Sequence, residues 1–274
     1  MKIEPPKAEK IPFKHEIHGD VRIDNYYWLN ERDNDKVIDY LNNENSYTDK
    51  ILKPTQKLQD ELFQEMKSRI KEEDTSVPYY YNEYWYMRKY EKGKDYPVYL
   101  RKYKSLDADE ELLVDVNELA KGYSYFQLRG ISISPDNKKM AYAVDTLSRR
   151  IYTIKIKNLE TGEMYNEQIK NTTGGSTWAN DNKTLFYSSR ENVTLRVNKV
   201  HKHKLGSDTI MDELVYEEKD KEFSTGVYKT KSNKFLVIGS GSTLTSEVRY
   251  INADDPSKEP VSYTHLTLPT TPRV

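Results

Sequence analysis

ISISPDNKKMAYAVDT, residues Ile131 to Thr146, decides the fold. Ile131 and Ile133, then Met140, Tyr142 and Val144, alternate with Ser132, Ser134, Ala141 and Ala143. That is the period of two expected of two strands with one buried face. Pro135-Asp136-Asn137 between them supplies turn chemistry: proline presets φ, and Asp and Asn tolerate turn conformations. The unit recurs as WANDNKTLFY (Trp178–Tyr187) and YKTKSNKFLVI (Tyr228–Ile238). The Asn before the second strand steps from 137 to 182 to 233, spacings of 45 and 51. Strand–turn–strand at that period is the signature of propeller blades of four strands each.

Working outward, residues 1–23 contain prolines and little periodicity. Asp24 to Leu29 (DNYYWL) is a dense aromatic knot whose rings are expected to be buried, their polar tips hydrogen-bonded. Asn34-Asp35 can cap a helix to about Leu52, Pro54 stops it, and Thr55 can cap a second. The second helix carries the stripe Leu58, Leu62, Met66, Ile70, with Glu65 and Arg69 paired on its polar side. Burying that stripe is worth on the order of 10 kcal/mol at roughly 2 kcal/mol per side chain. It therefore predicts a packing partner. After the charged linker Lys71 to Asp74 the pattern turns to strands: 79–87 and 96–102 around the turn 91–95, then 112–117, 150–158, 194–204, 213–216 and 247–252. With the three hairpins these make about four blades between residues 75 and 255.

Composition narrows the function. The 274 residues hold 43 basic and 44 acidic side chains, net charge −1, with none of the basic excess that nucleic acid or an anionic membrane calls for. The absence of cysteine removes disulfides, thiolate zinc sites and a Cys nucleophile, and fits a reducing compartment. The first twenty residues lack an apolar leader, and no apolar run reaches the ~18–20 residues needed to span a bilayer. The expectation is a soluble cytoplasmic protein without nucleic-acid or membrane partners. On that view the Asn-x-Thr triplets at Asn171 and Asn192 are not glycosylated.

Five segments resemble one family: 22–48 (RIDNYYWLNERDNDKVIDYLNNENSYT), 58–79 (LQDELFQEMKSRIKEEDTSVPY), 114–128 (VDVNELAKGYSYFQL), 184–189 (TLFYSS) and 238–250 (IGSGSTLTSEVRY). They are similar to the oligopeptidase B branch of the prolyl oligopeptidase family of serine peptidases, and the likeness runs through residues 10–256. The resemblance implies an N-terminal helical segment packed on an α/β-hydrolase domain. It also implies a seven-bladed propeller over the active site that admits oligopeptides and excludes folded proteins, and cleavage after Arg or Lys. The expected fold is thus mainly β: an incomplete propeller, about four of seven blades, behind a two-helix segment. The expected division is 1–72 for the arm and helices, 73–260 for the propeller part and 261–274 for a non-native tail. Val261 onward, VSYTHLTLPTTPRV, abandons the blade pattern and resembles a translated transposon-end sequencing adapter.

A hydrolase nucleophile sits in Gly-x-Ser-x-Gly on a strand-to-helix turn. Gly174-Gly175-Ser176-Thr177-Trp178 lacks the second Gly, and Gly239-Ser240-Gly241-Ser242 has Gly in the nucleophile's place. No catalytic, cofactor-binding or metal residue is therefore assigned in this chain, and no cofactor is called for. The catalytic triad is expected beyond it. His201 and His203 share one side of a strand, but two histidines make an incomplete metal site, and an exposed blade face is the stronger expectation. His15 and His18 are read as facing solvent or a neighbouring domain, His265 as part of the non-native tail, and Glu72-Glu73-Asp74 as a solvated linker. Gly239–Ser242 is read as a turn between blade strands. The expected partners are an oligopeptide substrate and the chain's own hydrolase domain. A post-proline peptidase, or a stand-alone propeller that binds a peptide or protein partner, are the alternatives.

Overall fold

A computed structural model describes residues 3–263. The chain divides into two compact units, one ending at Lys71 and the other beginning at Glu72.

In the first unit, β1 (Phe13–Ile17) and β2 (Asp20–Asp24) form a hairpin around Gly19, whose φ of +80° suits the tight turn. A 3-10 turn at Tyr27–Asn30 buries Trp28, and its indole Nε1 donates to the Glu9 carbonyl at 2.9 Å. The knot is thus anchored by one ring, while Tyr26 and Tyr27 stay exposed. Helix α1 (Asp35–Leu52) starts at Asn34, whose side chain accepts the Lys36 N–H as the sequence predicts. Thr55 is not the cap expected for α2 (Gln56–Ser68). A 3-10 turn at Lys53–Thr55, led by Pro54, carries α1 into α2, and the Thr55 hydroxyl donates back to the Leu52 carbonyl. Glu65 and Arg69 do pair across one turn. Leu58, Leu62, Met66 and Ile70 are 46–68% exposed.

In the second unit, blade 1 consists of β3 (Asp74–Thr75) and β4 (Tyr79–Tyr81), both on one edge of β5 (Tyr84–Tyr90), then β6 (Val98–Tyr103) and β7 (Glu110–Asp115). The single strand expected over 79–87 is in fact a hairpin. Asn82 and Glu83 both take positive φ and turn the chain back within two residues. Asp74 belongs to β3, so the charged linker is shorter than the sequence suggests. Asp115 caps α3 (Val116–Ala120) by accepting the Asn117 N–H.

Blades 2 and 3 form one seven-stranded antiparallel sheet. It is built from β8 (Gln127–Ile133), β9 (Lys139–Asp145), β10 (Tyr152–Asn158), β11 (Met164–Trp178), β12 (Thr184–Arg190), β13 (Val197–Lys204) and β14 (Glu213–Glu217). The link is β11. Its first half pairs with β10 as the outer strand of blade 2, and Ser176–Trp178 pairs with β12 as the inner strand of blade 3. Thr172 pairs on both edges, with Tyr152 and with Ser189. Gly174, at φ +89°, turns the strand there, and an added Cβ would meet the Tyr152 ring at 2.9 Å.

Blade 4 is β15 (Ser224–Lys229), β16 (Phe235–Gly241), β17 (Ser246–Asn252) and the two-residue edge β18 (Val261–Ser262). Gly239 to Gly241 lie inside β16, so the turn expected at Gly239–Ser242 begins only at Ser242. Three apolar layers fill the gaps between successive blades. Tyr86, Leu113 and Met140 lie between blades 1 and 2, Ile154, Trp178 and Leu185 between 2 and 3, and Phe186, Leu236 and Ile251 between 3 and 4. Alternation along the strands produces this arrangement, because blades 2 and 3 bury both faces against their neighbours while blades 1 and 4 bury one.

Candidate functional site: the axial channel

The inner strands β4, β8, the second half of β11, and β15 surround a cavity of about 210 Å³. Tyr79 and Tyr81, Ile131 and Ile133, Thr177 and Lys229 line it, one contribution from each blade. The walls mix aromatic and aliphatic side chains with the hydroxyls of Ser132, Thr177 and the tyrosines and with a single amine. Burial lowers the Lys229 pKa, against the opposing pull of Asp254 and Asp181. The cavity is far smaller than a folded domain, whose radius of gyration is about 13 Å at 100 residues.

One mouth of the channel is built by the repeated asparagines. Asn82, Asn137, Asn182 and Asn233 sit in the turn after the inner strand of each blade, all with φ between +45° and +61°. Asparagine is suited here because its short side chain tolerates the left-handed region and hydrogen-bonds locally. These side chains also tie blade to blade. Asn82 Nδ2 donates to Asn137 Oδ1 at 3.0 Å, the Asp136 N–H donates to Asn182 Oδ1 at 2.8 Å, and Asn180 Nδ2 donates to the Asn233 carbonyl at 2.9 Å. The Tyr81 hydroxyl reaches from blade 1 to Asn233 Oδ1 of blade 4 at 3.1 Å. Arg101, 3% exposed, grips Glu111 through two hydrogen bonds, donates to the Asn137 carbonyl and stacks 4.0 Å from the Tyr84 ring. The recurring Asn read from sequence thus fixes the rim as well as the turns.

The histidines fall elsewhere. His201 and His203 do share one face of β13, yet His203 is fully buried, against the expectation of an exposed blade face. Its Nδ1 lies 2.6 Å from Asp212 Oδ1, and Asp212 Oδ2 accepts the Tyr187 hydroxyl at 2.8 Å. Asp212 is not legible as a partner from the sequence, because the 3-10 turn Thr209–Met211 folds it back nine residues along the chain. His201 stacks on Tyr187, its Nε2 lies 3.0 Å from Ser189 Oγ, and burial lowers its pKa. A Ser–His pair of this kind would need a carboxylate behind the imidazole to act as a nucleophile. Asp212 is instead engaged by His203 and Tyr187. Among the described residues no three His, Asp or Glu side chains cluster to hold a metal. His15 stands between Phe13 and Tyr27 with Asp24 3.8 Å away, His18 sits in the β1–β2 turn, and His265 lies outside the described residues.

Residues 5–270 match the family model described as the prolyl oligopeptidase N-terminal β-propeller domain. The chain belongs to that family. It is 38% identical over 270 residues to dipeptidyl aminopeptidase BI of Pseudoxanthomonas mexicana, covering 92% of this chain and 37% of that protein. It is 36% identical over 258 residues to protease 2 of Moraxella lacunata, again 92% against 37%. Among solved structures, oligopeptidase B of Leishmania major superposes with a TM-score of 0.84 at 30% identity, over 92% of this chain and 38% of that one. Oligopeptidase B of Trypanosoma brucei, in a closed form with covalently bound antipain, gives 0.84 at 26% identity. The chain therefore spans somewhat over a third of the length of the relatives it matches. No described helix is long and apolar enough to cross a membrane.

Proposed function

We propose that this chain is the N-terminal helical segment and four propeller blades of an oligopeptidase B-like serine endopeptidase that cleaves oligopeptides after Arg or Lys in the cytoplasm. The observation that carries this reading is the continuous likeness to oligopeptidases at 0.84 TM-score and 30% identity. In the proposal the blades act as a filter. An extended peptide passes along the narrow axial cavity, and a folded protein is held outside. The nucleophile, acid and base belong to the further polypeptide that the relatives carry. The exposed stripe Leu58, Leu62, Met66, Ile70 is the face that further polypeptide covers.

The test is the reading frame extended to the length of the relatives. It should hydrolyse Arg- and Lys-containing chromogenic peptides, be blocked by a serine-directed inhibitor, and spare the same sequence inside a folded protein. Cleavage after Pro alone would overturn the specificity. The name of the Pseudoxanthomonas relative favours a second reading, release of dipeptides from free amino termini. Acetylating the substrate's amino terminus separates the two, because only the second loses turnover. We also propose that 261–274 is a non-native tail, its first two residues pairing with β17 as a short edge where the sequence pattern reads as a break from the blade. Source DNA that continues through 261–274 with codons unrelated to the adapter sinks that part.

A further inference from the structure

Three arginines converge where β11 passes from blade 2 to blade 3. The register places them there: Tyr152 and Ser189 flank Thr172 from opposite sides. Arg150 lies two residues before Tyr152 and Arg190 one residue after Ser189. Arg129 precedes Gly130, whose missing Cβ would lie 1.7 Å from the Gly174 carbonyl oxygen. All three stand at the end of the blades opposite the asparagine rim, since β8 begins there and β9 and β12 end there.

None of the three has a carboxylate partner among the described residues. Nearby acids are already engaged. Asp145 accepts the backbone N–H groups of Leu147 and Arg150, and Glu191 accepts from Thr194, Arg196 and Asn198. Arg190 gives Nη1 to the Leu195 carbonyl at 2.9 Å, but its buried Nε has no acceptor. Burial, then the charges of Arg150 and Arg129, lower the Arg190 pKa. Three arginines without an ion pair among the described residues, in a chain of net charge −1, are a local arrangement, and a buried guanidinium N–H aimed at no acceptor is costly unless a ligand fills the role.

We propose that Arg129, Arg150 and Arg190 form an anion site at the seam of blades 2 and 3 that takes the C-terminal carboxylate of an oligopeptide. Guanidinium groups match a carboxylate's two oxygens with paired N–H donors, and several together hold it without reading side chains. Every linear peptide with an unmodified C-terminus ends in such a group, so the site would hold short peptides by the end opposite the amino terminus and set a preferred substrate length. This rests on the peptidase reading above.

The test uses a six-residue peptide without Arg or Lys, as free acid and as C-terminal amide. Its binding is measured by NMR titration to the full-length enzyme and to the 274-residue chain. The free acid should bind about tenfold tighter or more, as loss of charged hydrogen bonds predicts. Arg129→Gln with Arg150→Gln, both exposed side chains, should erase that ratio, and Arg150→Lys should keep part of it. Arg190→Gln should act likewise, but it also breaks a hydrogen bond to Leu195, so the exposed pair decides. Equal binding of acid and amide, or a ratio untouched by the double substitution, overturns the site. Discrimination by the 274-residue chain but not by the full-length enzyme also overturns it, because the arginines then serve an acidic group of the remaining polypeptide. Binding is read without turnover, so absent peptidase activity with the ratio intact rejects the peptidase reading and leaves the site standing.

Discussion

Gly130→Ala is the sharpest test of the blade seam. Gly130 sits in a bulge of β8 at φ +66°, and an added methyl carbon would lie 1.7 Å from the Gly174 oxygen and 2.8 Å from its carbonyl carbon. Both neighbours are backbone, so no side chain can swing away. The left-handed conformation costs an alanine about 1–2 kcal/mol. Forcing two inner strands apart adds about 1–3 kcal/mol or more, as for overpacking. The sum is about 4 kcal/mol, a large part of a domain's usual 5–15 kcal/mol. Gly122→Ala is the matched control: φ is +85°, but nothing lies within 4 Å, so only the conformational cost applies. Urea unfolding followed by tryptophan fluorescence should therefore give an order wild type, Gly122→Ala, Gly130→Ala. With a slope of about 3 kcal/mol/M, the last falls more than 1 M below wild type. Equal midpoints for the two alanine variants would refute the close approach of β8 and β11.

Other consequences are as direct. Arg101→Met leaves the Asn137 carbonyl and the partly exposed Glu111 carboxylate without their donor, and should cost about 1–3 kcal/mol in the same unfolding assay. Asp136 and Asp181 both keep lowered pKa values. Burial pushes each up, but the Ser134 hydroxyl with the Lys138 N–H, and the Thr184 hydroxyl with the Lys183 and Thr184 N–H groups, outweigh it. Their contribution is therefore present above the unfolded carboxylate pKa near 4 and is lost as pH falls through the lower folded values. Asp136→Asn and Asp181→Asn should flatten the acid limb of a stability–pH curve. Leu62→Glu with Met66→Lys should raise the soluble yield of the 274-residue chain by interrupting its exposed stripe, measured by sedimentation of the cell extract. That chain should not turn over Arg-containing chromogenic peptides, and inhibitor-sensitive hydrolysis by it would contradict the placement of the nucleophile beyond Val261.

Period-two alternation and a repeated Asn were enough to read the hairpins of blades 2 to 4 and the architecture they imply. Blade 1 was harder because its turn is Asn82-Glu83, a pair without glycine or proline that reads as the interior of a tyrosine strand. The stretch 164–177 carried no strand signal, since NTTGGS looks like a linker. Only the pairing of Thr172 with two partners reveals a strand that bends at Gly174. Within the channel, Ile131 and Ile133 were legible as apolar positions, but nothing local shows that Tyr81 and Lys229 face them. That convergence is set by the ring and not by any window of sequence. The arginine seam is hidden for the same reason, its members lying 21 and 40 residues apart.

The continuous β11 also has a mechanical meaning. Blades 1 and 2 meet through side chains and a short linker, and blades 3 and 4 through side chains, a short linker and the single backbone bond from the Asn180 N–H to the Ala253 carbonyl, so each pair can shear or part at the cost of mainly apolar contact. Blades 2 and 3 belong to one hydrogen-bonded sheet through β11, whose pairing shifts register between Thr172 and Ser176, and they move together as one plate. Bending of this half-ring is therefore confined to two creases on either side of that plate. Amide exchange should be slowest along β10, β11 and β12 and faster in the strands that border the creases.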